Sequence, residues 1–151
     1  MTLKSSGNYL GALTEYQKIQ EIKVYDLGIF HIAITLLCLG FFEEGWEKHE
    51  YRWKVDPLNK VKWPIEGRDL WEGQHDKDIV LWREQGIGDE LIFLGLVPEA
   101  RDLSKSVSVY IDKRLIPLCE RSMPDVRFLA DPEQIGEQEF DYHLPMGSLP
   151  R

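Results

Sequence analysis

Asp78-Ile-Val-Leu-Trp-Arg-Glu-Gln-Gly86-Ile-Gly88-Asp89-Glu-Leu-Ile-Phe93 is the stretch on which the fold turns. Four β-formers, Ile79, Val80, Leu81 and Trp82, run into a polar turn with two glycines, and an aspartate then opens an amphipathic segment. The pattern reads as strand, tight turn, helix. Gly86 and Gly88 let the backbone take positive φ and approach a ligand closely. The new helix aims its unpaired N–H groups at the turn, and Asp89 stands where a cap belongs. Ligands of open α/β sheets bind beyond the carboxyl ends of the strands, which makes residues 84–89 the first candidate site. The stretch is not a full dinucleotide fingerprint, because position 91 is Leu, and it lacks the Lys-Ser/Thr ending of a P-loop. Asp89 is therefore open to two readings from the residues alone, a helix cap and a functional carboxylate. A third reading, phosphate or nucleotide bound at residues 85–89, sets an anion against the charge of Asp89.

Downstream, a helix is expected from about Asp89 to Arg101, with Pro98 kinking or ending its last turn. Residues 106–111 alternate and are β-branched, a second strand; residues 113–122 read as a helix, 124–129 as a third strand and 140–144 as a fourth. Between them residues 131–139 are acidic and turn-rich. This order predicts a parallel sheet with right-handed crossovers and strand order 3-2-1-4. Strands one and four then meet at the switch point, where residues 84–89 and 146–148 flank one crevice and His143 lies near its rim.

Upstream, residues 55–77 are rich in proline, glycine and acidic side chains and mark a linker, with Trp63 and Trp71 pinning it to the next domain. Before it, Gly7-Asn-Tyr9-x-x-Ala12-x-x-x-Tyr16 recurs as Gly40-Phe-Phe42-x-x-Gly45-x-x-x-His49, an offset of 33 residues. A period near 34 with a glycine turn, an aromatic and a small residue suggests a tetratricopeptide-like helical array over residues 1–54. The small residue admits a close helix approach, and the aromatics fill the space between hairpins. Helices are expected at 8–22, 27–39 and 41–54. The second is apolar nearly all round. The third is expected to bury Phe42, Trp46, His49 and Trp53 and to turn Glu43, Glu44, Glu47 and Lys48 to water. Such units need about three copies to close a core, so the array is expected to continue or to lean on another domain.

Composition limits the function. Hydrophobic residues make up 43% and charged residues 29%, as in a soluble globular chain. The net charge of −8 is uneven, −2 over residues 1–77 and −6 over residues 78–151. An acidic second half argues against nucleic acid or an anionic membrane surface as the main partner. Cys38 and Cys119 stand alone in apolar surroundings and read as buried thiols of a reducing compartment. No apolar run approaches the length that spans a bilayer and no signal-peptide core is present, so a cytoplasmic protein without a transmembrane segment is expected. His31, His49, His75 and His143 are scattered, and no cluster shows metal-ligand spacing. Neither metal nor cofactor is expected.

Gly40-Phe-Phe-Glu-Glu-Gly-Trp-Glu, Tyr51-Arg-Trp53, the Trp-Pro and Trp-Glu-Gly of the linker, residues 80–91 and Phe140-Asp-Tyr-His-Leu-Pro-Met-Gly-Ser-Leu-Pro150 share one order. Together they resemble bacterial tetratricopeptide-repeat proteins whose C-terminal part is a GT-B glycosyltransferase of the heptosyltransferase type. The resemblance implies a partial Rossmann-like domain over residues 78–151, the acceptor-side half. It implies Asp89 as the general base that activates an acceptor hydroxyl, with its charged form favoured at a helix start. Glu84, Gln85, Gly86, Gly88, His143 and Ser148 would line the acceptor-side loop. It also implies a nucleotide-sugar donor bound by a C-terminal domain absent from these residues, so the chain alone would be an inactive fragment. The alternative is a non-catalytic interaction module whose helical repeats bind a protein partner. That alternative predicts a cost of about 1 kcal/mol for Asp89→Ala, through the cap alone.

Overall fold

The computed structural model describes residues 3–55 and 65–151. Trp63 and the first part of the expected linker lie outside the described residues. The chain divides into two compact units, one helical and one α/β.

In the helical unit, α1 spans Tyr9–Ile22, α2 spans Asp26–Leu39 and α3 spans Phe42–His49, tightening into a 3-10 turn at Glu50–Lys54. The repeat seen in the sequence is also a repeat of the backbone. Gly7 and Gly40 take φ of 77° and 85°, and the residues after them, Asn8 and Phe41, take φ/ψ of −82°/71° and −81°/70°. Gly7 N–H donates to Lys4 O at 3.1 Å and Asn8 N–H to Leu3 O at 3.0 Å; Gly40 N–H donates to Leu37 O at 3.1 Å and Phe41 N–H to Leu36 O at 3.0 Å. Both copies end a helical turn with the same left-handed closure.

The small position of the repeat works as expected. A Cβ on Gly45 would lie 2.7 Å from Leu37 Cδ2, so only glycine allows α2 and α3 this approach. His49 is buried, its ring 5.6 Å from that of Phe30 and 5.2 Å from that of Trp46. The expected stripe fails at both ends. Phe42 is 61% exposed, and Trp53 is only half-buried. At Trp53 the cause is the 3-10 turn after His49: with three residues per turn, the next inward position is 52 and not 53. Arg52 is buried there, its guanidinium 2.6 Å from Glu50 Oε1 and donating to the His49 carbonyl. Cys38, expected inside, is exposed, because α2 turns it to the side that neither α1 nor α3 covers; Cys119 is buried.

The α/β unit holds β1 (Asp78–Trp82), α4 (Ile87–Leu94), α5 (Val97–Leu103), β2 (Ser106–Tyr110), α6 (Ile116–Ser122), β3 (Arg127–Leu129), α7 (Glu133–Gly136) and β4 (Tyr142–Pro145). The sheet is parallel throughout in the order β3-β2-β1-β4, a partial Rossmann-like domain. Ile79, Leu81, Val107, Val109 and Leu144 are buried in its core together with Phe93, Val97 and Ala100 of the crossover helices. Each of these side chains larger than alanine contributes about 1.5–3 kcal/mol relative to exposure. The expected single helix over residues 89–101 is two. Pro98 lacks an N–H, and it sits in the first turn of α5, where none is needed, so it opens a helix and ends none. The last part of the linker joins the sheet: Leu70 forms a parallel bridge with His143, Trp71 N–H donates to His143 O at 2.9 Å, and His143 N–H donates to Asp69 O. This covers the outer edge of β4. Trp71 is pinned as expected, 6% exposed, with its indole N–H on the Gln74 carbonyl. Among the described residues no helix is long and apolar enough to cross a membrane.

Candidate functional site

β1 delivers its chain to the carboxyl edge of the sheet, between β2 and β4. The helix that follows starts earlier than the sequence suggests. Gly86 is the N-cap, with extended backbone, and Asp89 is the third residue of α4. Asp89 N–H donates to Gly86 O at 3.0 Å, and Gly86 N–H donates to Asp89 Oδ2 at 3.2 Å. The carboxylate thus closes the turn from inside the helix. It does so with one oxygen. Among the described residues Asp89 makes no ion pair, and Oδ1 accepts no hydrogen bond; the side chain is half-exposed.

The turn is held from both sides. Toward β4, Glu84 is 7% exposed, and its Oε1 accepts from Gly147 N–H at 2.7 Å, binding the end of β1 to the 3-10 turn Met146–Ser148. The crevice expected between these segments is closed at its base by that bond. Met146, Gly147 and Ser148 are buried. Beneath them Trp82 Nε1–H donates to His143 Nδ1 at 3.0 Å, so the neutral His143 ring keeps its proton on the other nitrogen. Burial pushes His143 below the ordinary histidine range, against the pull of a hydrogen bond to the Arg68 backbone. His143 is therefore a core residue paired across the sheet with Val80, and not part of the rim.

Toward β2 the turn rests on charge. Glu90, 2% exposed, follows Asp89 on the inner face of α4. Its Oε2 accepts from Asp112 N–H at 2.7 Å, and Oε1 lies 2.9 Å from Arg83. Arg83 also reaches Asp112 at 3.2 Å, and Asp112 pairs with Arg114 at 2.8 Å. Burial raises the Glu90 carboxyl, while the Arg114 side chain and backbone hold Asp112 well below the usual carboxylate range. None of Arg83, Glu90 and Asp112 stood out in the sequence. The available signal was Glu90 itself, an acid in the buried stripe of Phe93, Leu94 and Val97 at helical spacing.

Of the residues expected at the site, Gln85, Gly86 and Gly88 are exposed, Asp89 is half-exposed, and Glu84, His143 and Ser148 are buried supports. What solvent meets is the short arc of residues 85–89. Among the described residues no group of three His, Cys, Asp or Glu side chains is placed to hold a metal ion. A cavity of about 240 Å³ lies elsewhere in this unit, among residues that precede β4 and the Leu70 bridge, with the Arg68 guanidinium over the Phe140 ring.

Over 106 residues, 67% of this chain, the sequence is 36% identical to Protein FlbA of Caulobacter vibrioides. The chain spans about a fifth of the length of that curated relative, the covered share being 18%. No family model matches the chain, and no solved structure matches it.

Proposed function

We propose that the α/β unit is the acceptor-side part of a sugar-transferring enzyme, in which Asp89 takes the proton of an acceptor hydroxyl that attacks a nucleotide-activated sugar. The observation that carries this reading is the free Oδ1 of Asp89. One carboxylate oxygen is fixed by the Gly86 N–H, and the other accepts no hydrogen bond among the described residues, on a half-exposed side chain. A general base needs such an arrangement: an ionised group, immobile, within reach of the hydroxyl proton. The buried supports on either side keep Asp89 in place. The donor is bound, in this reading, by a further α/β domain outside these residues, and the tetratricopeptide-like helices serve as a partner surface.

The second reading, a non-catalytic interaction module, has its own support in the bond from Gly86 N–H to Oδ2, which is a sufficient structural reason for an aspartate here. Two substitutions in the parent polypeptide separate the readings. Asparagine accepts the same N–H but is no base; alanine does neither. Sugar transfer should be lost in both Asp89→Asn and Asp89→Ala, with the folded state of the first nearly unchanged. Transfer that survives Asp89→Asn would rule out the base and leave the cap as the whole role of this residue.

A further inference from the structure

The cavity of about 240 Å³ is separate from residues 85–89. Its walls include Ile65, Glu66 and Arg68, ahead of the Leu70 bridge, and Ile135, Gln138 and Phe140, from α7 to the residues before β4. Ile65 and Ile135 are buried and form its apolar part. Both walls are tied to the sheet. His143 N–H donates to Asp69 O at 3.2 Å, next to Arg68, and Ser108 Oγ donates to Gln138 Oε1 at 2.9 Å. Ser108 and His143 stand on either side of Val80 in one row of the register, so their side chains share one face of the sheet.

The polar groups on these walls are left over by the fold. Glu66 and Arg68 are exposed, and among the described residues neither makes an ion pair, with the other or elsewhere. The Arg68 guanidinium lies 5.1 Å over the Phe140 ring, which gives it a seat without neutralising it. At the far end of the Gln138 amide from Ser108, Nε2 is buried and has no hydrogen-bond partner among the described residues. Buried donors without an acceptor are rare.

We propose that this cavity binds a small apolar α-amino acid, its carboxylate on Arg68 and Gln138, its ammonium on Glu66 and its side chain against Ile65 and Ile135. An anion alone would meet Glu66 and a cation alone would meet Arg68; a molecule that carries both charges close together answers both. The guanidinium fork matches a carboxylate. Nε2 is closed to solvent, and a small turn of the amide brings it to a carboxylate oxygen. The volume is below the roughly 300–1,000 Å³ of pockets that take larger ligands, which limits the occupant to a compact molecule. The proposal is independent of the role assigned to Asp89.

The test is a titration of L-leucine into the full chain, followed by NMR of the Gln138 side-chain amide and the Arg68 Nε–H. Two analogues each lack one charge: 4-methylpentanoate has no ammonium, and 3-methylbutylamine has no carboxylate. L-Leucine should shift both signals saturably and bind about tenfold or more tighter than either analogue, the worth of one charge-assisted hydrogen bond. Arg68→Gln and Glu66→Gln change exposed side chains, so the backbone spectrum should hold, and each should weaken L-leucine by about tenfold. Arg68→Gln should leave the amine unaffected, and Glu66→Gln should not weaken the acid. The absence of a saturable shift with L-leucine, an equal affinity for 4-methylpentanoate, or L-leucine binding untouched by Arg68→Gln would overturn the proposal.

Discussion

On one side of β1 the carboxyl edge of the sheet is tied by charge; on the other it is tied by hydrogen bonds among buried side chains. Arg83, Glu90 and Asp112 join β1, α4 and the end of β2 through two ion pairs and a backbone bond. Glu84 and His143 join β1 to β4 through hydrogen bonds with Gly147 and Trp82. Between them lies the arc of residues 85–89, whose side chains make, among the described residues, no hydrogen bond beyond the Gly86–Asp89 closure. The difference teaches that the exposed turn is not held by its own contacts. It is a short bridge between two anchored supports of unlike chemistry, and unlike chemistry responds to different perturbations.

The charged support should be the more costly to break. Glu90→Ala takes from Arg83 one of its two carboxylate partners, leaving it Asp112, and leaves the Asp112 N–H without its acceptor; about 3 kcal/mol of stability should be lost, measured by urea unfolding. Glu90→Gln keeps an acceptor for that N–H and should cost less. If both variants unfold at the wild-type midpoint, the network contributes nothing and the comparison collapses. On the other side, Glu84→Ala leaves the buried Gly147 N–H unsatisfied, for a loss of about 2 kcal/mol. Added salt should weaken neither support strongly, since Glu90 and Glu84 are both shielded from solvent.

Acid sharpens the contrast further. His143 has its folded-state value depressed by burial, so the stability it contributes is complete above about pH 6.5, the ordinary histidine value, and is lost as pH falls through the lower folded value. His31 is depressed in the same direction by burial, in the helical unit. The slope that belongs to the β4 side is therefore the difference between wild type and His143→Gln, which should be flatter through this window. Asp112 is depressed as well, and its contribution should persist until the pH has fallen far below the usual carboxylate range. Glu90 is raised: its contribution is full below the ordinary glutamate value and is lost as pH rises through the folded one, so it opposes the other two. A His143→Gln variant with the wild-type acid slope would show that the ring does not stay neutral in the fold.

Much of this architecture was legible because it depends on short-range pattern. β1 was read at its observed bounds, since a buried parallel strand is a continuous apolar run and its neighbours are polar. The strand order followed from the order of elements and the hand of crossovers. The repeat at Gly7 and Gly40 was legible because a left-handed turn demands glycine. What escaped reading depends on tertiary partners. Asp89 reads equally well as a cap or as the third residue of a helix capped by Gly86, and only the path of the turn decides. Trp53 fits an inward stripe until the helix tightens at Glu50, a change that no local residue announces. His143 was read toward the rim because it stands near the end of β4, yet the side chain of Trp82 takes it into the core. The buried Arg83, Glu90 and Asp112 come from three separate segments, and their meeting is visible only in space.

The smallest expected effect bears on the site itself. Asp89→Ala removes the acceptor of one exposed backbone N–H at the start of α4, and such a loss costs about 1 kcal/mol; Asp89→Asn should cost only a few tenths, because its amide oxygen takes the same bond. Hydrogen exchange of the Gly86 amide reports this directly, fast in the alanine variant and near the wild-type rate in asparagine. The supports on either side should not register the change, since neither Glu84 nor Glu90 bonds to Asp89. If Asp89→Ala instead destabilised the unit as much as Glu90→Ala, the turn would be part of the anchorage and not a bridge between anchors. A small structural cost is also what the base assignment needs.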